Sequence, residues 1–179
     1  MMEERYDQNE VEELFSGVMS EVEMAEISFE KSLYFKQLSY SEQKASRDII
    51  YYLGEFMFDY HLESLSTWSK VALEDVLISV FPTKIVANRD FFKRVEPVLV
   101  KFFEFLCYSE KQTKALELIE RIQIVSELML NEVEIVLKNS NEVKVMDLGV
   151  EMGLDMSDLS ELDRLYKFVD LFETSKKKE

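Results

Sequence analysis

The scarcity of glycine and proline is the feature of this sequence that most restricts its fold. The 179 residues include four glycines and two prolines, whereas average usage would give roughly 13 and 9. Tight hairpins and glycine-rich loops depend on these two residue types. Because the chain lacks them and shows no convincing strand pattern, we expect long helices joined by short polar links.

Apolar residues recur at helical spacing in the first third of the chain. Between residues 11 and 33 they follow the i, i+3, i+4, i+7 pattern of one helix face. Ser39 and Glu42 then form a capping-box pattern, with Ser41 as a competing N-cap. The sequence therefore predicts a long amphipathic first helix and a second helix over about 42–63.

The two prolines indicate further helix boundaries. Ser66 or Thr67 is expected to cap a third helix over 68–81, and Pro82 is expected to end it, because a proline disfavours the α conformation in the residue before it. Pro97 suits the first turn of a later helix.

The segment from about 112 to 138 is the longest one without a break, and its apolar residues occupy most of the helix circumference. Such a helix is typical of the centre of a bundle or of a subunit interface. We therefore predict an all-α, single-domain bundle of about six to seven helices with this long helix at its centre. The domain is expected to span 1–173, and 174–179 to be a polar, frayed tail.

Composition excludes most catalytic and cofactor chemistry. The chain has one cysteine and one histidine, so it lacks the ligands for a zinc site, and it carries neither a GxGxxG nor a GxxxxGK[ST] pattern. The spacing of Gly149 and Gly153 favours helix packing or a helix stop over a dimerisation motif. We expect no cofactor.

The start of the sequence is acidic and lacks the apolar core of a secretory signal, and no later run reaches 18 apolar residues. Cys107 has no partner for an intrachain disulfide. Both observations favour a cytoplasmic protein that does not enter the membrane.

His61 and Cys107 are the one conceivable nucleophilic pair, because a neighbouring histidine activates a thiol. Both residues lie within aromatic, apolar stretches, so a packed or surface histidine and a small buried cysteine are the preferred interpretations. A ferritin-like iron motif requires Glu three residues before His, and Phe58 occupies that position.

Three carboxylates on the first helix are the weak candidates for a metal site. Glu23, Glu26 and Glu30 lie at i, i+3 and i+7, and no Lys or Arg follows any of them at i+4. Carboxylates that converge from two helices bind hard cations such as Mg2+ or Mn2+. The simpler interpretation is a solvated helix face whose charge is compensated across space.

The formal net charge of -15 argues against general binding to nucleic acids or anionic membranes. Resolved along the chain, residues 1–38 hold three basic and ten acidic residues, whereas 83–111 hold six basic and four acidic ones. Four cations flank Phe91 and Phe92 in that second stretch: Lys84, Arg89, Lys93 and Arg94. They form a candidate site for an anion or a partner. The alternative, which we favour, is that the stretch docks on the acidic first helix with both phenylalanines in the core.

The stretch from Trp68 to Leu106 resembles a pattern in uncharacterised bacterial helical proteins. In these a Trp precedes a helix that ends in an aromatic-Pro-x-Lys turn, here Phe81 to Lys84, and a Pro-Val-Leu helix follows, here from Pro97. Some of these proteins are associated with a cysteine-rich SEC-C type motif, which this chain lacks. The resemblance implies a bacterial, helical protein and no particular activity or metal.

These observations predict a non-catalytic, cytosolic module that binds a protein partner or regulates it. The partner would be reached through an acidic surface or through the four cations of the basic stretch. A variant is nucleic-acid mimicry, in which carboxylates imitate phosphates, while direct nucleic-acid binding is not expected. The alternatives are an enzyme that holds a divalent cation on helix-borne carboxylates, and a structural homodimer joined through the long helix.

Overall fold

The structure is a computed structural model that describes residues 8–139 and 142–176, and in these ranges it contains helices and no strand. Its elements, in chain order, are α1 (Gln8–Glu30), a 3-10 turn (Phe35–Gln37), α2 (Tyr40–His61), α3 (Lys70–Asp75), a π turn (Val76–Val80), α4 (Phe81–Lys84), α5 (Arg89–Phe92), α6 (Val95–Tyr108), α7 (Ala115–Asn139), α8 (Glu142–Glu151) and α9 (Leu159–Lys176). Since α3, the π turn and α4 are continuous, the described residues form seven helices longer than one turn. The all-α prediction is confirmed.

One hydrophobic core runs through the described residues, from Val22 on α1 to Leu165 on α9. Helix α6 lies deepest in it, packing against α1, α2, α5 and α7. Phe102 and Phe103 of α6 are fully buried, and the ring of Phe102 lies 5.4 Å from that of Phe29 on α1. Aromatic contacts of this kind add to the stabilisation from burial. Trp68, also fully buried, packs against Phe103.

The predicted long helix is present as α7, which spans 25 residues. It packs against the α3–α4 stretch, α5, α6 and α8, and it buries one stripe that runs from Ala115 to Val133. The other face exposes Ile124, Leu128 and Ile135. Neighbours therefore cover one side of α7 rather than its whole circumference, because α1 and α2 pack chiefly on each other and on α6.

Short-range signals account for the start of α2. The Ser39 hydroxyl accepts a hydrogen bond from the Glu42 backbone N–H, and a Glu42 carboxylate oxygen accepts one from the Ser39 N–H at 2.7 Å. This is the predicted capping box. The start of α3 differs from the prediction, since Ser69 caps it rather than Ser66 or Thr67.

Pro82 does not end the third helix as predicted, and the helical stretch continues through Lys84. A proline ring in a regular helix clashes with the carbonyl four residues earlier. Here the backbone widens into the π turn just before the proline, and the Phe81 N–H bonds to the Val76 carbonyl five residues back. Pro82 then lies in the first turn of α4, where its missing N–H requires no partner.

Helices α8 and α9 form a hairpin around two glycines. Gly153 ends α8 with a positive φ of 76°, and the Leu154 N–H donates to the Gly149 carbonyl at 3.0 Å. A Cβ on Gly149 would lie 2.2 Å from Sδ of Met156. Of the two predicted roles, Gly149 thus serves helix packing and Gly153 serves as the helix stop.

Helix α9 extends to Lys176, so the tail predicted from residue 174 begins inside a helix, and residues 177–179 lie outside the described part. Within the described ranges, no helix is both long enough and apolar enough to cross a membrane.

Candidate functional site

A cleft of about 410 Å³ opens between α1 and α2. The two helices approach closely next to it, because Gly54 of α2 has no side chain to hold off Val22 of α1. One part of the wall is apolar and is formed by Phe15, Met19, Val22 and Ile50; the charged and phenolic part is formed by Glu23, Glu26, Arg47 and Tyr51. We call this the α1–α2 cleft. Its volume lies within the range of small-ligand sites.

Glu26 is the unusual residue of the cleft wall. It lies on the buried stripe of α1 with Val22, Ala25 and Phe29, and only 4% of its surface is exposed. Its Oε1 has no hydrogen-bond partner among the described residues. A buried polar atom without a partner costs free energy, roughly 1–3 kcal/mol. The fold therefore tolerates a destabilising group at this position.

The surroundings of Glu26 favour its neutral form. Burial is the main cause, and the charge of Glu30 and a hydrogen bond with its carboxyl group add to it; Arg47 acts in the opposite direction. Together they raise the pKa of Glu26 from 4.5 to about 7. At neutral pH this carboxyl group thus exchanges between its protonated and ionised forms, a property that often marks functional carboxylates.

Glu23 and Arg47 lie at the mouth of the cleft. Glu23 Oε1 is 3.7 Å from Arg47 Nη2, and both side chains are mostly exposed. A pair of this kind contributes little to stability. Because of this pair, Arg47 has the carboxylate of Glu23 as a neighbour in addition to that of Glu26.

The three acids of α1 do not form the metal site for which they were weak candidates. In the part of the chain that the structure describes, no group of three or more His, Cys, Asp or Glu side chains is arranged to hold a metal ion. Glu26 turns into the core, whereas Glu23 faces Arg47 of α2. Glu23 and Glu26 therefore lie in different surroundings, although the sequence places them on one face of α1.

The expected docking of the basic stretch on α1 occurs only through apolar side chains of α6, such as Phe102 against Phe29, while the cations of the stretch that form ion pairs do so with acids outside α1. Arg89 Nε pairs with Glu134 Oε1 of α7 at 2.8 Å, and Lys93 Nζ pairs with Asp90 Oδ1 at 2.8 Å. The reason is that α5 packs against α6 and α7 rather than against α1. Phe91 and Phe92, on the same turn, are buried as expected.

The other two cations of this stretch also lie away from α1. Arg94 Nη1 donates to the Ser157 carbonyl at 3.4 Å, which joins the start of α6 to the loop before α9. Lys84 is exposed, and no ion pair involving it occurs within the described ranges. Arg89, Lys93 and Arg94 thus contact different parts of the fold, and the anion or partner site proposed for them together with Lys84 stays a prediction.

His61 and Cys107 do not form a nucleophilic pair. Nε2 of His61 lies 3.0 Å from Oδ2 of Asp75, which makes His61 a partly exposed surface histidine. Cys107 is a free, exposed thiol, so the expectation that it is buried is wrong. It lies near the end of α6, beyond the last buried residue of that helix.

One face of α2 beside the cleft carries three carboxylates, two of them only partly exposed. No Lys or Arg in the described part of the chain forms an ion pair with Asp48, Glu55 or Asp59. Burial, followed by the charge of Asp158, raises the pKa of Asp48; burial and the charge of Asp59 raise the pKa of Glu55. We call these three residues the acidic face of α2. Tyr51, which lines the cleft, lies between them along the helix.

Comparison with known proteins gives no significant match to any family model, curated protein or solved structure. The resemblance of residues 68–106 to bacterial helical proteins therefore stays a prediction.

Proposed function

We propose that this protein is a non-catalytic binding module with a regulatory role, and that its partner is a basic protein that enters the α1–α2 cleft. One observation carries the proposal: Glu26 lines the cleft, and its Oε1 is buried and has no hydrogen-bond partner in the described part of the chain. A donor from a bound partner would satisfy this oxygen and remove the cost of its burial.

Charge supports a basic partner. The chain carries a net charge of -15, and the acidic face of α2 adjoins the cleft through Tyr51. An acidic surface of this kind accelerates the approach of a basic protein and disfavours acidic ones. The apolar wall of the cleft supplies area that a partner can bury.

Comparative capture tests the proposal. The tagged protein, its Glu26→Gln variant and its Glu12→Gln variant are incubated with the same lysate, and recovered proteins are quantified against a tag-only control. Both variants replace one carboxyl group of α1 by an amide, but Glu12 is exposed and lies outside the cleft. We expect basic proteins to be enriched by the wild type and by Glu12→Gln, and to fall at least tenfold with Glu26→Gln. Equal recovery by all three, or none above the control, would overturn the proposal.

Nucleic-acid mimicry is a variant of the same function. The acidic face of α2 supports it, since Asp48, Glu55 and Asp59 follow one another along a single helix. Replacing all three by Asn or Gln would abolish binding of a DNA-binding partner under this variant. If the partner instead binds in the α1–α2 cleft, the same triple replacement would slow association, and binding would still depend on Glu26.

The enzyme alternative rests on the adjacent carboxyl groups of Glu26 and Glu30. Thermal unfolding with Ca2+, Mg2+ and Mn2+ tests it, because a native-state ligand at 100 times its Kd stabilises by about 2.7 kcal/mol. Unchanged melting curves with all three cations would remove this alternative.

The homodimer alternative rests on the exposed apolar residues of α7, Ile124, Leu128 and Ile135. Exposed apolar stripes often mark interfaces. Sedimentation that shows only a 21.2 kDa particle at high protein concentration would remove it.

A further inference from the structure

The carboxyl group of Glu26 offers one free acceptor position. Its Oε1 has no hydrogen-bond partner among the described residues, and the neighbouring carboxyl group of Glu30 contributes to its raised pKa by charge and hydrogen bonding. A guanidinium group binds a carboxylate best through two parallel N–H donors, which need both oxygens. An ammonium group is a compact point donor that needs one. A single buried, unpartnered oxygen therefore suits an ammonium group better than a guanidinium group.

The apolar wall complements a methylene stem. Phe15, Met19, Val22 and Ile50 line the same cleft as Glu26, and their side chains present only carbon and sulfur atoms; the hydroxyl residues Ser16 and Ser20 complete the lining. Side chains that carry a charge on an alkyl stem bury the stem against such surfaces. Groups without a stem, such as ammonium ion, would leave this wall in contact with water.

We infer that the α1–α2 cleft binds an alkylammonium group, with its nitrogen on Oε1 of Glu26 and its methylene stem against the apolar wall, in preference to a guanidinium group. The inference rests on the proposed function and names the chemical group that the partner inserts. Two sources supply this chemistry: a free amine, and the lysine side chain of a partner protein.

The other charged groups around the cleft are compatible with a bound cation. Glu23 and Glu30 are negative, and Arg47 is the one cation among the residues that line the described cleft. Arg47 Nη2 lies 3.7 Å from Glu23 Oε1, so the carboxylate of Glu23 offsets part of the repulsion between Arg47 and an entering ammonium group. Because a bound ammonium favours the ionised form of Glu26, affinity should rise between pH 6 and pH 8.

Titration calorimetry with small probes tests the inference on the full chain. The probes are n-hexylamine, n-hexylguanidine and n-hexanol, which share one stem and differ in the head group. We expect hexylamine to bind at least tenfold more tightly than the other two. We also expect Glu26→Gln to weaken it at least tenfold and Glu12→Gln to leave it unchanged. Equal affinity for the amine and the guanidine, or no effect of Glu26→Gln, would overturn the inference.

A peptide series separates the two sources. Short, otherwise neutral peptides carry one lysine, one arginine or one acetyl-lysine at the same position. Binding of the lysine peptide at least as tight as that of hexylamine assigns the site to a protein side chain, whereas binding of hexylamine alone assigns it to a free amine. If neither binds, the inference is wrong.

The two levels of the proposal fail in different ways. Capture of a basic protein that depends on Glu26, with no binding of amine or lysine peptide, would leave the proposed function standing and remove the inference. Amine binding that depends on Glu26, with capture that does not, would remove the protein partner and keep the ammonium site.

Discussion

Val22 of α1 packs directly onto the backbone of Gly54 in α2: a Cβ on Gly54 would lie 2.9 Å from both methyl carbons of Val22. Because Val22 is β-branched and fully buried, it has few rotamers with which to move away. The contact fixes how closely α1 and α2 approach, and Val22 is also part of the wall of the α1–α2 cleft.

Gly54→Ala is therefore expected to push α1 away from α2. Overpacking of this kind lowers the free energy of unfolding by about 1–3 kcal/mol, measured by urea denaturation. Gly17→Ala is the matched control, because nothing lies within 4 Å of a Cβ at Gly17, and alanine there should stabilise the helix by up to about 1 kcal/mol. If both variants shift the midpoint in the same direction, the close contact is not what determines the helix spacing.

Glu26→Gln should change how stability depends on pH. The folded-state pKa of Glu26 is about 7, against an ordinary value of 4.5. Between these two pH values the folded protein keeps a proton that the unfolded chain releases, so the free energy of unfolding falls as pH rises from about 4.5 to about 7. The variant removes this loss. We expect its free energy of unfolding to exceed that of the wild type by about 1–3 kcal/mol at pH 8, and to match it near pH 4.5. Parallel pH profiles for the two proteins would contradict the prediction.

Gly149→Ala should loosen the α8–α9 hairpin. The added methyl group would meet Met156 Sδ at 2.2 Å and Leu165 Cδ2 at 2.7 Å. We expect a loss of about 1–3 kcal/mol in the free energy of unfolding, with faster amide exchange concentrated in α8 and α9. In the double variant with Met156→Ala the two losses should not add fully, since the second change removes the clash with Met156 and leaves only that with Leu165. Additive losses would mean that the two residues do not press on each other.

Lys44→Gln should raise the pKa of Asp158. Burial raises this pKa, but hydrogen bonds from Lys44 and Ser160 outweigh burial and lower it to about 2, below the ordinary 3.8. The pair thus stabilises the fold above pH 3.8, and its contribution is lost as pH falls through about 2. NMR titration of the Asp158 carboxyl group should show a higher pKa in the variant.

Lys167→Gln is the control for that titration, because Lys167 pairs with Asp163 on its own helix and not with Asp158. It should leave the pKa of Asp158 unchanged. The same pKa in Lys44→Gln as in the wild type would show that the contact between α2 and the start of α9 is not formed in solution.

Features that depend on a few neighbouring residues could be read from the sequence. The Ser39–Glu42 capping box and the helix stop at Gly153 both involve donors and acceptors only a few residues apart. Helix periodicity likewise gave the all-α class. The prediction that Pro82 ends the helix was wrong. The steric effect of the proline is local, but the wider π turn that relieves it leaves no pattern in the sequence.

Contacts between helices could not be inferred from charge. The opposite signs of residues 1–38 and 83–111 predict ion pairs between them, yet Arg89 binds Glu134 of α7, and α6 contacts α1 through apolar side chains such as Phe102 and Phe29. Which helices become neighbours depends on how the apolar stripes pack, and surface ion pairs contribute too little to decide it. Charge totals along the chain carry no information about that packing.

The importance of Glu26 did leave a signal in the sequence. It falls at the i+4 position from Val22 and three residues before Phe29, on the apolar stripe of α1, whereas Glu23 and Glu30 fall beside that stripe. A carboxylate at a core position must find a partner, change its protonation or remain costly. Asking which charged residue breaks the apolar pattern separates Glu26 from the other acids of α1.

The exposed thiol of Cys107 has a practical consequence for work with the purified protein. As the single cysteine of the chain, it accepts one maleimide label per molecule at a known place near the end of α6. In air, two such thiols on different molecules can oxidise to a covalent dimer. Ultracentrifugation and crystallisation trials therefore need a reductant or a Cys107→Ser protein, so that covalent dimers are not counted as self-association.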